Sequence, residues 1–174
     1  MVSLVMLSGC LSKPPVESST QPSSESSAKS RVWELRGRVG IRTSQKTNSF
    51  SLQWRQQADQ YDIRLSSALG LSVAKIKGDE SGVTIDIPNR GSFQSENATE
   101  LLEQETGLKL PIESMQYWLR GEPAPNAKYK INASTLSQSG WQIEFIEYRE
   151  GLPRRVSFTT PGVKVMLVVS SWQN

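Results

Sequence analysis

The stretch VWELRGRVGI, residues 32–41, decides the fold class because its apolar and polar side chains alternate. One face carries Trp33, Leu35, Gly37, Val39 and Ile41, and the other carries Glu34, Arg36, Arg38 and Gly40. A period of two is typical of a β-strand with one buried face. This stretch therefore predicts a strand that covers a core on one side only.

The same alternation recurs along the chain, which predicts a sheet built from successive strands. The apolar positions are Phe50, Leu52 and Trp54, then Tyr61, Ile63 and Leu65, then Val83, Ile85 and Ile87, and later Trp141, Ile143 and Phe145, Val156 and Phe158, and Val163, Val165, Leu167 and Val169. The linkers between the first of these strands are short, whereas parallel pairing needs a dozen or more crossover residues. We therefore expect antiparallel hairpins. The last strand, residues 163–172, is apolar on both faces and is predicted to be covered on both sides.

Helical patterns interrupt the strands once, between residues 96 and 121. In ENATELLEQETG, Asn97 can cap a helix that carries Leu101 and Leu102 and stops at Gly107. In IESMQYWLRG, Met115, Trp118 and Leu119 recur at helical spacing before Gly121. The fold class is thus mainly β, with two short apolar helices inserted into one antiparallel sheet.

Two architectures fit this pattern. The helices either plug a packed core or cover the hollow of a strongly curved sheet, as in barrels that hold apolar ligands. The pattern alone favours the packed core, because alternating apolar positions fill cores more often than they line cavities.

Composition excludes several kinds of chemistry. The 174 residues contain no His and a single Cys, Cys10, so Ser-His-Asp and Cys-His catalysis and zinc sites of His and Cys are excluded. The 20 Lys and Arg are interspersed with 17 Asp and Glu, so nucleic acid is not an expected partner. Acid pairs such as Glu100 with Glu103 have the simpler interpretation of charged surfaces. No nucleotide or cofactor motif is present, so we expect no cofactor, no metal and no catalysis.

The N-terminal segment predicts a lipid anchor. MVSLVMLSGC ends in Leu7, Ser8, Gly9 and Cys10, which resembles the bacterial lipobox whose cysteine thiol receives a diacylglycerol. No Lys or Arg precedes it, so we expect the natural start to lie upstream. Residues 11–30 include eight Ser and three Pro and predict a disordered tether with a span of about 25 Å. The expected organisation is a removed signal remnant at 1–9, a lipidated Cys10 with its tether at 10–30, and a lipid-binding half-barrel at 31–174.

The order and spacing of several segments resemble the family of the outer-membrane lipoprotein receptor LolB. They are RGRVGI, SLQW, QYDIRL, ALG, LP at 110–111, YWLRGEPAP, GWQIEFIEY, LPRRV and MLVVSSW, which together span about Trp33 to Trp172. The resemblance implies an incomplete antiparallel barrel with helices over an acyl-chain cavity. It also implies a monomer in the outer membrane, facing the periplasm, that accepts lipoproteins from the periplasmic carrier LolA and inserts them into that membrane.

The resemblance gives the predicted site residues their roles. Cys10 is the anchor, and Leu69, in the loop SSALG between two strands, matches a protruding leucine thought to touch the bilayer. From the residues alone, Leu69 could equally fold back onto the sheet edge or onto Leu71. The predicted cavity lining is Trp33, Leu35, Phe50, Leu52, Ile63, Val83, Ile85, Leu101, Met115, Trp118, Trp141, Ile143, Phe145 and Leu167. The competing hypotheses are an anchored envelope scaffold with a packed core and protein partners, and an envelope hydrolase with opposed acids in a cleft.

Overall fold

Eleven strands and two helices make up the part of the chain that the structure, a computed structural model, describes, residues 32–173. Cys10 and the predicted tether at 11–30 lie outside it. The strands are β1 (Val32–Thr43), β2 (Thr47–Gln57), β3 (Gln60–Ser66), β4 (Ser72–Asp79), β5 (Gly82–Ile87), β6 (Gly91–Ser95), β7 (Tyr129–Asn132), β8 (Thr135–Gln138), β9 (Trp141–Arg149), β10 (Leu152–Thr160) and β11 (Val163–Gln173). The helices, α1 (Ala98–Thr106) and α2 (Ile112–Trp118), follow β6.

The strands form one antiparallel sheet in the order β6-β5-β4-β3-β2-β1-β11-β10-β9-β8-β7. The two ends of this order, β6 and β7, do not pair, so the barrel is incomplete, and both helices lie in the connection between them. The predicted fold class, an open curved sheet with helices as a lid, is confirmed. Within residues 32–173, no helix is long and apolar enough to cross a membrane.

The concave face of the sheet holds the core. Trp33, Leu35, Val39 and Ile41 of β1 are all buried, as their alternation predicted, and they belong to one continuous apolar cluster with the helices. The prediction for β11 is wrong in part. The inward residues Val165, Leu167 and Val169 are buried, but Met166 on the convex face is only half-buried, because the helices cover the concave side alone.

The structure confirms both helices and adds three strands that the sequence patterns missed. The Asn97 side chain accepts a hydrogen bond from the amide of Glu100 at 3.1 Å, and Gly107 ends α1 in the left-handed conformation. Helix α2 ends at Trp118, before the expected Gly121. The missed strands β6, β7 and β8 have four or five residues each, too few to show an alternation.

Gly37 lets β1 and β11 approach closely. A Cβ at this position would lie 2.4 Å from the carbonyl oxygen of Val168, and the register between the strands shifts between Arg36 and Gly37. Such an irregularity bends a strand and increases its twist. Gly37 therefore contributes to the curvature that makes the sheet concave.

A carboxylate on the convex face of β1 predicts how stability responds to acid. Glu34 accepts hydrogen bonds from Gln53 at 2.8 Å, from Arg36 at 3.0 Å and from Arg55 at 2.9 and 3.0 Å. These hydrogen bonds lower the pKa of Glu34 to about 2, and the bond from Gln53 has the largest effect. Because the folded pKa is depressed, the stabilisation is complete above the unfolded pKa of about 4.3 and is lost as the pH falls toward 2.

Glu34→Gln is expected to lower the free energy of unfolding by about 1–2 kcal/mol at pH 7, since the arginine partners are exposed to solvent. Denaturant unfolding measured from pH 7 to pH 2 should show the difference from the unmodified chain shrinking below about pH 4. Glu144→Gln, on the exposed face of β9, serves as the control and should change little. A deficit independent of pH would show that the Glu34 charge is not the cause.

Candidate apolar cavity and exposed leucine loop

A cavity of about 330 Å³ lies between the concave face of β1–β5 and the two helices. Its apolar lining comes from the strands, from the two helices and from the segment that joins them. These residues are Val39, Ile41, Phe50, Leu52, Trp54, Ile63, Leu65, Val73, Ala74, Ile76, Ile85, Ile87, Leu102, Leu108, Leu110, Ile112, Met115 and Val165. Such a lining suits hydrocarbon, and the volume is near the lower end of the about 300–1,000 Å³ typical of small-molecule sites.

The polar residues of the cavity lie together at one edge of the sheet. They are Thr43, Lys46 and Asn48 at the β1–β2 turn, Arg90 at the β5–β6 turn, and Glu105 and Thr106 at the end of α1. Because neighbouring strands are antiparallel, these turns and the β3–β4 loop share that edge. The cavity is thus apolar inside and polar where it reaches the surface.

Arg90 links the end of α1 to the sheet at this opening. Its guanidinium donates to the carbonyl oxygen of Glu105 at 2.9 Å and to the carboxylate of the same residue at 2.8 Å. It also lies 5.7 Å from the ring centre of Phe93. About half of the Arg90 side chain is exposed, and ion pairs of this kind contribute about 0–1 kcal/mol. The link therefore holds α1 over the cavity weakly.

Helix α2 is held more firmly, by a buried amide that sequence reasoning missed. The Gln138 side-chain oxygen accepts hydrogen bonds from the Trp118 indole at 2.7 Å and from the Ala124 amide at 2.8 Å. Its nitrogen donates to the carbonyl oxygens of Ala124 at 2.7 Å and Ala127 at 3.0 Å. All of its hydrogen-bonding groups are satisfied although it is buried. Trp118 is therefore a fixed support of the lid.

The structure brings five of the predicted lining residues together at this cavity, namely Phe50, Leu52, Ile63, Ile85 and Met115. The other nine are buried in the core beside it and do not line it. They are Trp33, Leu35, Val83, Leu101, Trp118, Trp141, Ile143, Phe145 and Leu167. Alternation indicates which side chains of a strand face inward, but it does not show which of them line the cavity.

Leu69 is at the tip of the β3–β4 loop with 88% of its surface exposed. The loop is closed by hydrogen bonds from the Gly70 amide to the Ser67 carbonyl at 3.0 Å and from the Ser67 amide to the Leu71 carbonyl at 2.8 Å. Gly70 has a φ of 80° and permits the turn. Leu71 is 67% exposed. Leu69 therefore projects into solvent and does not fold back onto the sheet edge.

A larger hollow, of about 790 Å³, lies at the opposite edge of the sheet. It is lined by charged and polar residues, among them Arg55, Asp62, Lys77 and Glu96. Burying hydrocarbon there would desolvate these groups without replacing their hydrogen bonds. The smaller apolar cavity is thus the better candidate site for an apolar ligand.

An open antiparallel barrel with two lid helices over an apolar cavity is a half-barrel with internal space suited to an apolar ligand. The family model for the outer membrane lipoprotein LolB matches residues 31–172. The chain is 36% identical to the LolB of Pseudomonas putida strain F1, over 81% of this chain and 74% of the relative. It is 31% identical to the LolB of Pseudomonas fluorescens strain Pf0-1, over 98% of this chain and 92% of the relative. The chain belongs to the LolB family of outer-membrane lipoproteins.

Solved structures share the fold at low sequence identity. A LolA superfamily protein from Nitrosomonas europaea aligns with a TM-score of 0.52 at 8% identity, covering 82% of this chain and 86% of that one. A DUF1329 family protein from Desulfovibrio piger aligns with a TM-score of 0.55 at 7% identity, covering 85% and 88%. These similarities concern the fold alone.

Proposed function

We propose that this protein accepts lipoproteins from the periplasmic carrier LolA by binding their acyl chains, and inserts them into the outer membrane. The observation that carries the proposal is the apolar cavity of about 330 Å³, which opens at the edge where Leu69 is exposed. Membership of the LolB family supports it. The protein acts without covalent chemistry, as a receptor.

The physical need for such a receptor follows from the cost of exposing hydrocarbon. Burying acyl chains contributes about 0.8 kcal/mol per CH₂, so a chain of about 15 CH₂ groups leaves an apolar environment for water only at a cost of roughly 12 kcal/mol. Transfer must therefore pass from one apolar cavity to another. Net transfer from the carrier to this protein requires that this cavity binds the acyl chains more tightly than the carrier does.

The lid must move for a cargo with several acyl chains, because the cavity is small in this structure. The Arg90 side of the link at the end of α1 is half-exposed, so the ion pair costs little to break. The support of α2 through Trp118 and Gln138 is buried and would be expensive to break. We therefore propose that α1 moves away from the opening while α2 stays in place.

Tryptophan fluorescence tests the proposal, because Trp54 lines the cavity and Trp141 does not. Titrating the protein with a long-chain fatty acid is expected to change its emission with a saturable dependence on concentration. Trp54→Phe should remove most of this change, and the matched variant Trp141→Phe should retain it. The absence of any saturable change, together with no binding of a fluorescent fatty acid, would favour the scaffold with a packed core.

The proposed anchor, Cys10, gives a separate prediction. Cys10→Ala should release the protein from salt-washed membranes into the soluble periplasmic fraction, because the acyl chains on Cys10 supply the membrane affinity that salt does not screen. Fractionation with a salt wash measures this, and Ser8→Ala, which keeps the cysteine, is the control. A Cys10→Ala protein that stayed with membranes after the wash would show that the anchor lies elsewhere.

A further inference from the structure

The turns of the sheet fall into two groups at opposite edges. Antiparallel pairing places the turns at residues 43–47, 66–72, 87–91, 138–141 and 160–163, with the start of β7, at the edge where the cavity opens. We name this the loop edge. The turns at residues 57–60, 79–82, 132–135 and 149–152 and the connection at 95–97 lie at the opposite edge. Two edges of one sheet can thus be compared for charge.

The charges of the two edges differ in sign. The turns of the loop edge and the residues that flank them contain six cations, Arg42, Lys46, Arg90, Lys128, Lys130 and Lys164, and a single acid, Asp86. The turns of the opposite edge contain Asp59, Asp79, Glu80, Arg149, Glu150 and Glu96. Glu105 of α1 reaches the loop edge and pairs with Arg90. Asp86 can offset at most one of the other five cations, so the loop edge keeps a net positive charge.

The placement of two of these cations is unfavourable for the fold itself. Arg42 of β1 is directly opposite Lys164 of β11, and both side chains are exposed. Neither forms an ion pair with any other residue of the described part of the chain. Like charges directly opposite each other on neighbouring strands are destabilising. An anionic partner outside the chain would remove this repulsion.

We infer that the loop edge is a docking surface for anionic lipid headgroups, on which the protein stands while Leu69 and Leu71 enter the bilayer. This inference rests on the proposed function and adds to it the lipid chemistry that the membrane must present. Exposed apolar side chains beside several Lys and Arg are the combination that binds anionic interfaces. The acidic opposite edge is repelled by the same surface, so the domain is oriented with its cavity toward the bilayer.

A membrane fits this surface better than a protein partner does. Leu69 and Leu71 project on a short closed loop, and a fluid headgroup layer can deform around such a projection. A specific protein partner would instead need a matching surface of roughly 800 Å² with a hollow for the loop. An acidic carrier docking on the same cations is nevertheless a distinct outcome that the experiment must separate.

The experiment measures how the Cys10→Ala chain, which lacks the anchor, partitions onto vesicles of phosphatidylcholine with and without phosphatidylglycerol. The loop-edge variant adds Arg42→Gln, Lys130→Gln and Lys164→Gln, none of which lines the apolar cavity. The matched control adds Arg36→Gln, Lys77→Gln and Arg149→Gln and thus loses the same charge away from the loop edge. On anionic vesicles the loop-edge variant should bind on the order of 100-fold more weakly, since each cation near such a surface contributes about 1 kcal/mol.

The control should bind nearly as well as the unmodified Cys10→Ala chain, and added salt should weaken the binding of both. Equal losses in the two variants, or equal binding to neutral and anionic vesicles, would overturn the inference. So would a loop-edge variant with normal vesicle binding but slower uptake of cargo from the carrier, because that result assigns the cations to the carrier. Fatty-acid titration of the same proteins tests the proposed function independently, since it needs no vesicle.

Discussion

Leu69→Glu is expected to stop delivery of cargo into liposomes while the protein still folds and still takes cargo from the carrier. Leu69 is 88% exposed and belongs to no part of the buried core, so its replacement should change the free energy of unfolding by less than about 0.5 kcal/mol. In the bilayer, the variant would lose about 2 kcal/mol of apolar transfer and would add the cost of inserting a charge. We expect insertion to fall by at least about tenfold.

The measurement is the transfer of a labelled lipoprotein from the carrier to liposomes, followed by flotation. Ile146→Glu is the matched control, because Ile146 is also an exposed apolar residue but lies on the convex face of β9; it should deliver normally. Leu69→Phe should retain delivery, since it keeps an apolar tip. A loss of several kcal/mol of stability in Leu69→Glu would mark a core residue, and normal delivery by this variant would remove the membrane role.

The main elements of the fold were predictable because their signals are local. In β2, and over most of β1 and β9, apolar inward residues alternate with polar ones. Asn97 and Gly107 are residue types that favour the two ends of a helix. The hairpin β7–β8 was not predictable by the same means. Its four-residue strands contain Tyr129 and Ile131, which are exposed at the sheet edge. The apolar character of these two residues therefore did not indicate that they are buried.

The cavity was less predictable than the strands that build it. Leu35 of β1 is directly opposite Trp54 of β2 and both are buried, yet only Trp54 borders the cavity. The difference depends on where the helices rest and on how far the sheet curves at Gly37, which are tertiary properties. Gln138 was missed for a related reason, because its four hydrogen bonds join segments that are distant in the chain.

The distribution of charge over the folded sheet was also hard to predict from the sequence. Along the chain, Lys and Arg are interspersed with Asp and Glu and form no basic block, so the sequence pattern concealed the loop edge. Arg42 and Lys164 are 122 positions apart in the numbering and become opposite each other only when β1 pairs with β11. The difference in charge between the two edges of the sheet therefore arises from the way the strands pair.

Filling the cavity gives the sharpest distinction between a binding site and a packed core. Ala74 lines the cavity on β4, opposite Leu65 of β3, and its small side chain leaves space in front of it. Ala74→Phe is expected to weaken fatty-acid binding by at least about tenfold, because the ring would occupy the volume that the chain needs. The melting temperature should stay the same or rise, since the ring gains apolar contacts in existing space.

Fatty-acid titration and thermal unfolding of the same variant separate the two architectures. In a packed core, a phenylalanine at position 74 would force neighbouring side chains from their positions and cost about 1–3 kcal/mol. Ala133→Phe, in the exposed turn between β7 and β8, is the control and should change neither quantity. A destabilised Ala74→Phe protein would contradict a preformed cavity, and a stable one that bound fatty acid normally would place the acyl chain elsewhere. Weaker binding with undiminished stability is the combination that only an open, apolar binding cavity produces.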